Sequence, residues 1–93
     1  MATAEVYHAG VYFTGHVQGV GFRYTALEVA REFEVAGYVT NLLDGRVQLE
    51  VEGTKAEVLA YVARVQERMH GHIRQTEQHG HLRPAQFRGF TIQ

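Results

Sequence analysis

Apolar side chains along the chain fall into two alternating periods. Over residues 6–13, Tyr7, Ala9, Val11 and Phe13 recur at every second position, which puts them on one face of a β-strand. Residues 15–21 are punctuated by Gly15, Gly19 and Gly21 and read as a loop. From Phe22 to Glu34 the period becomes helical: Phe22, Ala26, Val29, Ala30 and Phe33 form one stripe, with Glu28, Arg31 and Glu32 opposite. A second strand runs from Gly37 to about Leu42, and Asp44-Gly45 marks a hairpin, because both residue types tolerate the positive φ of tight turns. In the returning strand Val47, Leu49 and Val51 point inward, Arg46, Gln48, Glu50 and Glu52 outward, and Gly53 ends it. Thr54 and Glu57 fit a capping box, Thr54 as N-cap and Glu57 reaching back. The helix they open is expected to bury Val58, Leu59, Val62, Val65 and Met69 and to end near His70-Gly71. Tyr24 and Tyr61 are expected as partly buried helix residues. Residues 72–79 predict a fourth strand poor in apolar side chains, and residues 87–92 a short closing strand.

The order is β-α-β-β-α-β, with room for a short extra strand. Two split βαβ units predict an α+β ferredoxin-like sandwich, an antiparallel sheet of four or five strands with both helices on one face. The single apolar stripe on each helix suits that arrangement. With 93 residues, no repeat, no linker-like stretch and a single proline, Pro84, the chain is expected to be one domain over residues 1–93.

Composition narrows the function classes. Hydrophobic residues at 45% and charged residues at 20% describe a globular chain rather than a disordered one. The absence of Cys excludes disulfides, thiolate metal sites and a Cys nucleophile. No apolar run approaches the ~18 residues of a membrane span. The first five residues lack a basic segment leading into an apolar one, so no secretory signal is read and the cytoplasm is the expected location. A net charge of −1 argues against binding nucleic acid through many phosphate contacts. The aromatic pattern that an RNA-binding sheet face needs is also missing from the Gly19–Arg23 run.

Residues 15–23, GHVQGVGFR, join a strand to a helix N-terminus, where backbone N–H groups are unpaired and the helix dipole is positive. Three glycines let such a loop curl its N–H groups inward as an anion cradle, with phosphate as the usual guest. Arg23, in the first helical turn, conflicts with the dipole by a few tenths to ~1 kcal/mol. A bound anion removes the conflict, and the planar guanidinium suits phosphate. The competing reading is a glycine-containing turn with a solvated arginine at the sheet edge. The loop is not a nucleotide P-loop, since no Gly-Lys-Ser/Thr follows, and Tyr24 stands where a dinucleotide fingerprint needs its third glycine. Asn41, taken alone, reads as a turn residue before Asp44-Gly45. His70 with His72, and His79 with His81, have the i, i+2 spacing that puts two ligands on one strand face. Only Glu77 is a nearby carboxylate, so surface histidines are the favoured reading and no metal is expected.

Together these residues resemble the acylphosphatase family. Gly15 to Arg23 is similar throughout to its Gly-x-Val-Gln-Gly-Val-x-Phe-Arg run. Residues 37–47 resemble its second signature, Gly-aromatic-Val-x-Asn-x-x-Asp-Gly-x-Val, with Asn41, Asp44 and Gly45 in place. The resemblance covers roughly residues 6–93 and is strong from about 11 to 53. Tyr38 stands where the family usually has Trp. The His-rich stretch from Met69 to Arg83 lacks the Gly-Pro-rich lead into the fourth strand, and Ile92-Gln93 replaces the usual basic-aromatic finish.

The resemblance implies a hydrolase that splits a carboxyl-phosphate anhydride into carboxylate and inorganic phosphate. Arg23 matches the phosphate-binding arginine and Asn41 the asparagine that positions the attacking water. The backbone of Gly15, His16, Val17, Gln18, Gly19 and Val20 matches the phosphate-holding loop. No cofactor, metal, nucleic acid or membrane is implied, only a small acyl phosphate substrate; one small domain of mixed surface charge suggests a monomer. The chemistry fits the side chains at hand. The leaving carboxylate has a conjugate acid near pKa ~4, so it departs without a general acid. Glu28, Glu32, Glu50 and Glu52 are accordingly expected on solvent faces. Orienting water and holding phosphoryl charge is what remains. The alternative is a non-catalytic phosphate or carbamoyl-phosphate module acting with a larger partner, since hydrogenase-maturation carbamoyltransferases carry a similar N-terminal domain.

Overall fold

The computed structural model describes residues 5–93. Met1–Ala4, on which the reading of no secretory signal rests, lie outside the described residues. The elements are β1 (Glu5–Gly15), α1 (Phe22–Ala30), β2 (Val35–Asn41), β3 (Val47–Gly53), α2 (Lys55–Arg68), β4 (Ile73–Pro84) and β5 (Phe90–Ile92). The period-2 positions meet as anticipated. Ala9 pairs with Val51, Val11 with Leu49 and Phe13 with Val47, while Val39 flanks Leu49 from the other side. All seven are fully buried. They form one face of a five-stranded sheet in the order β4-β1-β3-β2-β5. Ala26 and Val29 of α1 and Val58, Val62 and Val65 of α2 complete the core. Each buried Val, Leu or Phe among them stabilises the fold by roughly 1.5–3 kcal/mol on leaving water.

The βαββαβ sandwich is therefore present, but its sheet is mixed: β5 runs parallel to β2, with Gly37 opposite Phe90 and Val39 opposite Ile92. The cause is topological. β4 is antiparallel to β1 and finishes with Pro84 opposite Glu5, at the end of the sheet where β1 and β2 begin. A short connection from there starts β5 beside the beginning of β2, so the two strands share a direction. β5 is also only three residues long rather than spanning 87–92. β4 extends well past the expected residues 72–79, its register on β1 shifting between Thr14 and Gly15. As an edge strand it pairs on one side only, and its polar side chains are tolerated there.

Several burial expectations are corrected. Tyr61 is fully buried, and its hydroxyl donates to the Ala26 carbonyl at 2.8 Å, which ties α2 to α1; burial pushes its pKa up. Tyr24, expected as partly buried, is 61% exposed. Leu59 is also largely exposed, because the buried positions of α2 are Val58, Tyr61, Val62 and Val65 and Leu59 lies one helical step round from them. α1 stops at Ala30 rather than Glu34. Arg31, Glu32 and Phe33 close tighter i→i−3 hydrogen bonds that turn the chain into β2. Thr54 caps α2 through Glu57 N–H at 3.2 Å, but the Glu57 carboxylate accepts from Glu34 N–H at 2.8 Å instead of completing the box.

Glu50 and Glu52 do face away from the helices, yet neither is freely solvated. Glu50 Oε1 lies 2.6 Å from Nε2 of the buried His8. Glu52 is buried beneath the β4–β5 connection, accepting from Gln86 N–H at 2.7 Å and Phe87 N–H at 2.6 Å. Burial works to raise the Glu52 pKa, but those two N–H groups and Arg83 outweigh it and hold the carboxyl below its ordinary value.

Candidate active site

The β1–α1 loop is anchored from below. Val17 is fully buried and Val20 packs against the core, so the chain between them stands clear of it. Gln18, between the two, turns its amide sideways. Its Nε2 donates to the Leu42 carbonyl at 2.8 Å and the Arg46 carbonyl at 3.0 Å, clamping the loop to the β2–β3 hairpin. Gly19 adopts φ 78°, a left-handed conformation that costs other residues roughly 1–2 kcal/mol. Gly21 is the N-cap of α1, and no side chain caps that helix and no acidic residue stands in its first turn. Among the described residues, no acceptor takes the N–H of any residue from His16 to Val20. The donors of the helix mouth are thus held in shape by side chains rather than closed by internal hydrogen bonds.

Arg23 is half-buried beside this mouth. Among the described residues no Asp or Glu side chain lies within ion-pair distance of it; its Nη1 donates at 3.4 Å to the main-chain oxygen of Gln93, just after β5. Asn41 is the last residue of β2, opposite Val47, on the helix-facing side of the sheet. Its Oδ1 is buried and has no hydrogen-bond partner among the described residues. An unpaired buried acceptor costs about 1–3 kcal/mol, so the site favours a donor at that place.

A cavity of about 240 Å³ brings these groups together: Gly19 and Gly21 from the loop, Arg23 from α1 and Asn41 from β2, over a floor of Val17 and Phe22. Tyr24 and Ile92 complete its rim. The other sequence-named loop positions are placed differently. Gly15 and His16 line a separate recess with His72 and Arg74, and neither Gln18 nor Val20 lines the cavity of Arg23 and Asn41. The clamping role of the Gln18 amide had no signal in the sequence. The rim residues had none either: Tyr24 is a helix residue like any other until Arg23 fixes which way the mouth opens, and Ile92 reaches it only because β5 lies on β2.

The histidine pairs do not converge. His70 sits in the turn after α2 with Nδ1 3.1 Å from the Glu67 carbonyl, so the strand spacing argued for His70 and His72 does not apply. His79 and His81 lie on the face of β4 away from the helices, His79 3.8 Å from the Glu77 carboxylate and His81 near the His8 ring. Among the described residues no group of three His, Asp or Glu side chains is placed to hold a metal ion.

The chain that carries this helix mouth is similar to known proteins in sequence and in fold. The Acylphosphatase family model matches residues 9–92. The acylphosphatase of Anaeromyxobacter sp. (strain Fw109-5) is 48% identical over 59 residues, which span 63% of this chain and 63% of that sequence. The crystal structure of acylphosphatase from Bacillus subtilis superposes with a TM-score of 0.82 at 26% identity, covering 92% of this chain and 97% of that one. The crystal structure of T. kodakarensis HypF superposes at TM-score 0.76 and 27% identity over 97% of this chain but only 12% of that much longer one. The chain belongs to the acylphosphatase family.

Proposed function

We propose that the protein hydrolyses acyl phosphates to a carboxylate and inorganic phosphate, without a metal ion. The observation that carries this is the shared cavity of Arg23 and Asn41 at a helix mouth whose backbone donors are free. The phosphoryl oxygens sit against the loop N–H groups and the planar Arg23 guanidinium. The Asn41 side-chain amide, lining the same cavity, holds the attacking water and points that water's lone pair at phosphorus. Water oxygen bonds to phosphorus, the bond from phosphorus to the acyl oxygen breaks, and the carboxylate leaves with the electron pair. The water's proton ends on a phosphate oxygen. Fixed N–H groups and one guanidinium stabilise the charge as it spreads over the phosphoryl oxygens.

The non-catalytic module is not adopted, because the curated relatives that the chain matches are named acylphosphatases. Among the described residues no helix is long and apolar enough to cross a membrane. We place the protein in the cytoplasm as a monomer of one domain, acting on a small molecule.

The test is steady-state hydrolysis of benzoyl phosphate and acetyl phosphate with chelator present. Arg23→Ala lowers kcat/KM by about 10²–10³, the usual cost of one lost charge-stabilising donor, and Asn41→Ala falls in the same range. Inorganic phosphate inhibits competitively, and Arg23→Ala weakens that inhibition. An inert wild type, or both variants at full activity, overturns the reading.

A further inference from the structure

We infer that Tyr24 and Ile92 form an apolar clamp for the acyl group, so that the substrates of choice are acyl phosphates whose acyl part is uncharged and flat, of single-ring size. This rests on the proposed hydrolysis and specifies what the site takes. Five large apolar side chains are more than a third exposed among the described residues, at positions 24, 43, 59, 82 and 92. Single exposed apolar residues need no explanation. Two of these five, however, line the one cavity that holds Arg23 and Asn41, Tyr24 at 61% exposure and Ile92 at 39%.

Their placement follows from the fold. Tyr24 is the residue after Arg23 in the first turn of α1, largely exposed where it lines the cavity. Ile92 alternates with Thr91 and so projects to the helix-facing side of β5, opposite Val39 and two positions before Asn41 on the neighbouring strand. β5 is fixed there by Gly37 N–H to the Gly89 carbonyl and Gln93 N–H to the Val39 carbonyl, both 2.9 Å. A phosphoryl group held by the loop and Arg23 leaves its acyl substituent between these two side chains. The volume, about 240 Å³, lies below the ~300–1,000 Å³ of sites for drug-sized ligands, which suits a phosphoryl group and one small acyl group. Beyond Arg23 and Asn41, no lining residue carries a charged or amide side chain, so a charged acyl group finds no partner. The Tyr24 hydroxyl makes no hydrogen bond among the described residues, which leaves the ring as the useful part.

The experiment measures kcat/KM for benzoyl, acetyl and succinyl phosphate with wild type, Tyr24→Ala, Tyr24→Phe and Ile92→Ala. Both side chains are substantially exposed, and far-UV circular dichroism checks that the variants fold. Wild type prefers benzoyl phosphate and handles the carboxylate-bearing succinyl phosphate worst. Tyr24→Ala and Ile92→Ala each narrow the benzoyl-to-acetyl ratio by about three- to tenfold, mainly through KM, as loss of a ring or aliphatic contact dictates. Tyr24→Phe keeps the ratio. Inhibition by inorganic phosphate, which has no acyl group, keeps its strength in Tyr24→Ala. Benzoyl and acetyl hydrolysis falling in equal proportion, or a wild type that favours succinyl phosphate, overturns the clamp while the hydrolase reading stands. A wild type inert toward all three overturns the hydrolase reading and the clamp with it.

Discussion

Two glycine-bearing turns lie side by side next to the cavity and use their backbone in opposite ways. The β2–β3 hairpin closes on itself. Leu42 N–H donates to the Arg46 carbonyl at 2.8 Å and Gly45 N–H to the Leu42 carbonyl at 3.1 Å. The Asp44 carboxylate takes Arg46 N–H at 3.1 Å and Arg46 Nε at 2.9 Å. The β1–α1 loop closes nothing from His16 to Val20 among the described residues. Both turns use left-handed glycines, Gly45 at φ 95° and Gly19 at φ 78°, so conformational freedom does not separate them. The difference is where the shape is fixed. The hairpin is held by its own polar groups, which are then unavailable. The loop is held by the buried Val17 side chain, by Gln18 reaching across to the hairpin, and by the start of β4, which leaves its N–H groups for a guest.

The largest effect expected from breaking this contrast is at Gly15, where the loop leaves β1. A Cβ there would lie 2.4 Å from the His72 carbonyl oxygen and 2.7 Å from Arg74 N, both backbone atoms, at φ 139°. Gly15→Ala therefore displaces β4 or the loop and lowers stability by about 2–4 kcal/mol. A urea midpoint that does not move would show that β4 does not hold the loop's root. Gln18→Ala comes next. Each carbonyl it releases keeps one backbone partner, so stability falls by only about 2 kcal/mol. The loop is no longer clamped, and kcat/KM drops by about ten- to a hundredfold, because small misplacements of binding groups are costly to rate. Equal, mild losses in both measurements would make Gln18 a packing residue only.

The contrast also explains what could be read from the chain alone. The helix-facing side of the sheet was legible because strict alternation in residues 47–51 and 7–13 has only one sandwich solution. The loop was legible because three glycines and Arg23 violate local helix preferences in one short run. Long-range polar contacts leave no such trace. The burial of Glu52 depends on a connection more than thirty residues away folding across the far face of the sheet. Leu59 was misplaced because an apolar residue beside a stripe looks like a member of it. The parallel pairing of β5 follows from which end of the sheet β4 reaches, which is set by the whole topology. Of the site, Arg23 stands out as a cation in a helix's first turn and Asn41 only through the resemblance; both line one cavity in the structure, whereas Tyr24 and Ile92 acquire a role only when α1 and β5 stand side by side.

A smaller and sharper comparison substitutes one glycine in each turn. A Cβ at Gly19 or at Gly45 meets nothing within 4 Å, so only the left-handed backbone is penalised. Gly19→Ala and Gly45→Ala each lose about 1 kcal/mol of stability by the same cause. Hydrolysis separates them: on the proposed function Gly19→Ala reorients the N–H groups that bind the phosphoryl oxygens and loses activity, while Gly45→Ala keeps it. Two variants with matched losses of both stability and activity would erase the distinction between the turns.

The smallest effect is electrostatic and belongs to the hairpin alone. The Asp44 carboxyl is held below its ordinary value of 3.8, chiefly by the Arg46 N–H and, beyond it, by the Arg46 side chain. A carboxyl whose folded pKa is depressed contributes stability above its unfolded value and loses it as pH falls through the folded one. Asp44 thus helps at neutral pH, and its help fades once the pH drops below 3.8. The group is well exposed, so solvent screening keeps the contribution slight. Asp44→Ala should unfold slightly more easily than wild type at neutral pH, with the gap in denaturant midpoint closing under acid, and should hydrolyse acyl phosphates at the wild-type rate. A gap that persists into strong acid would assign the loss to turn geometry rather than charge. A fall in kcat/KM at neutral pH would mean that the self-closed hairpin reaches the phosphoryl site after all, through the two carbonyls that Gln18 holds.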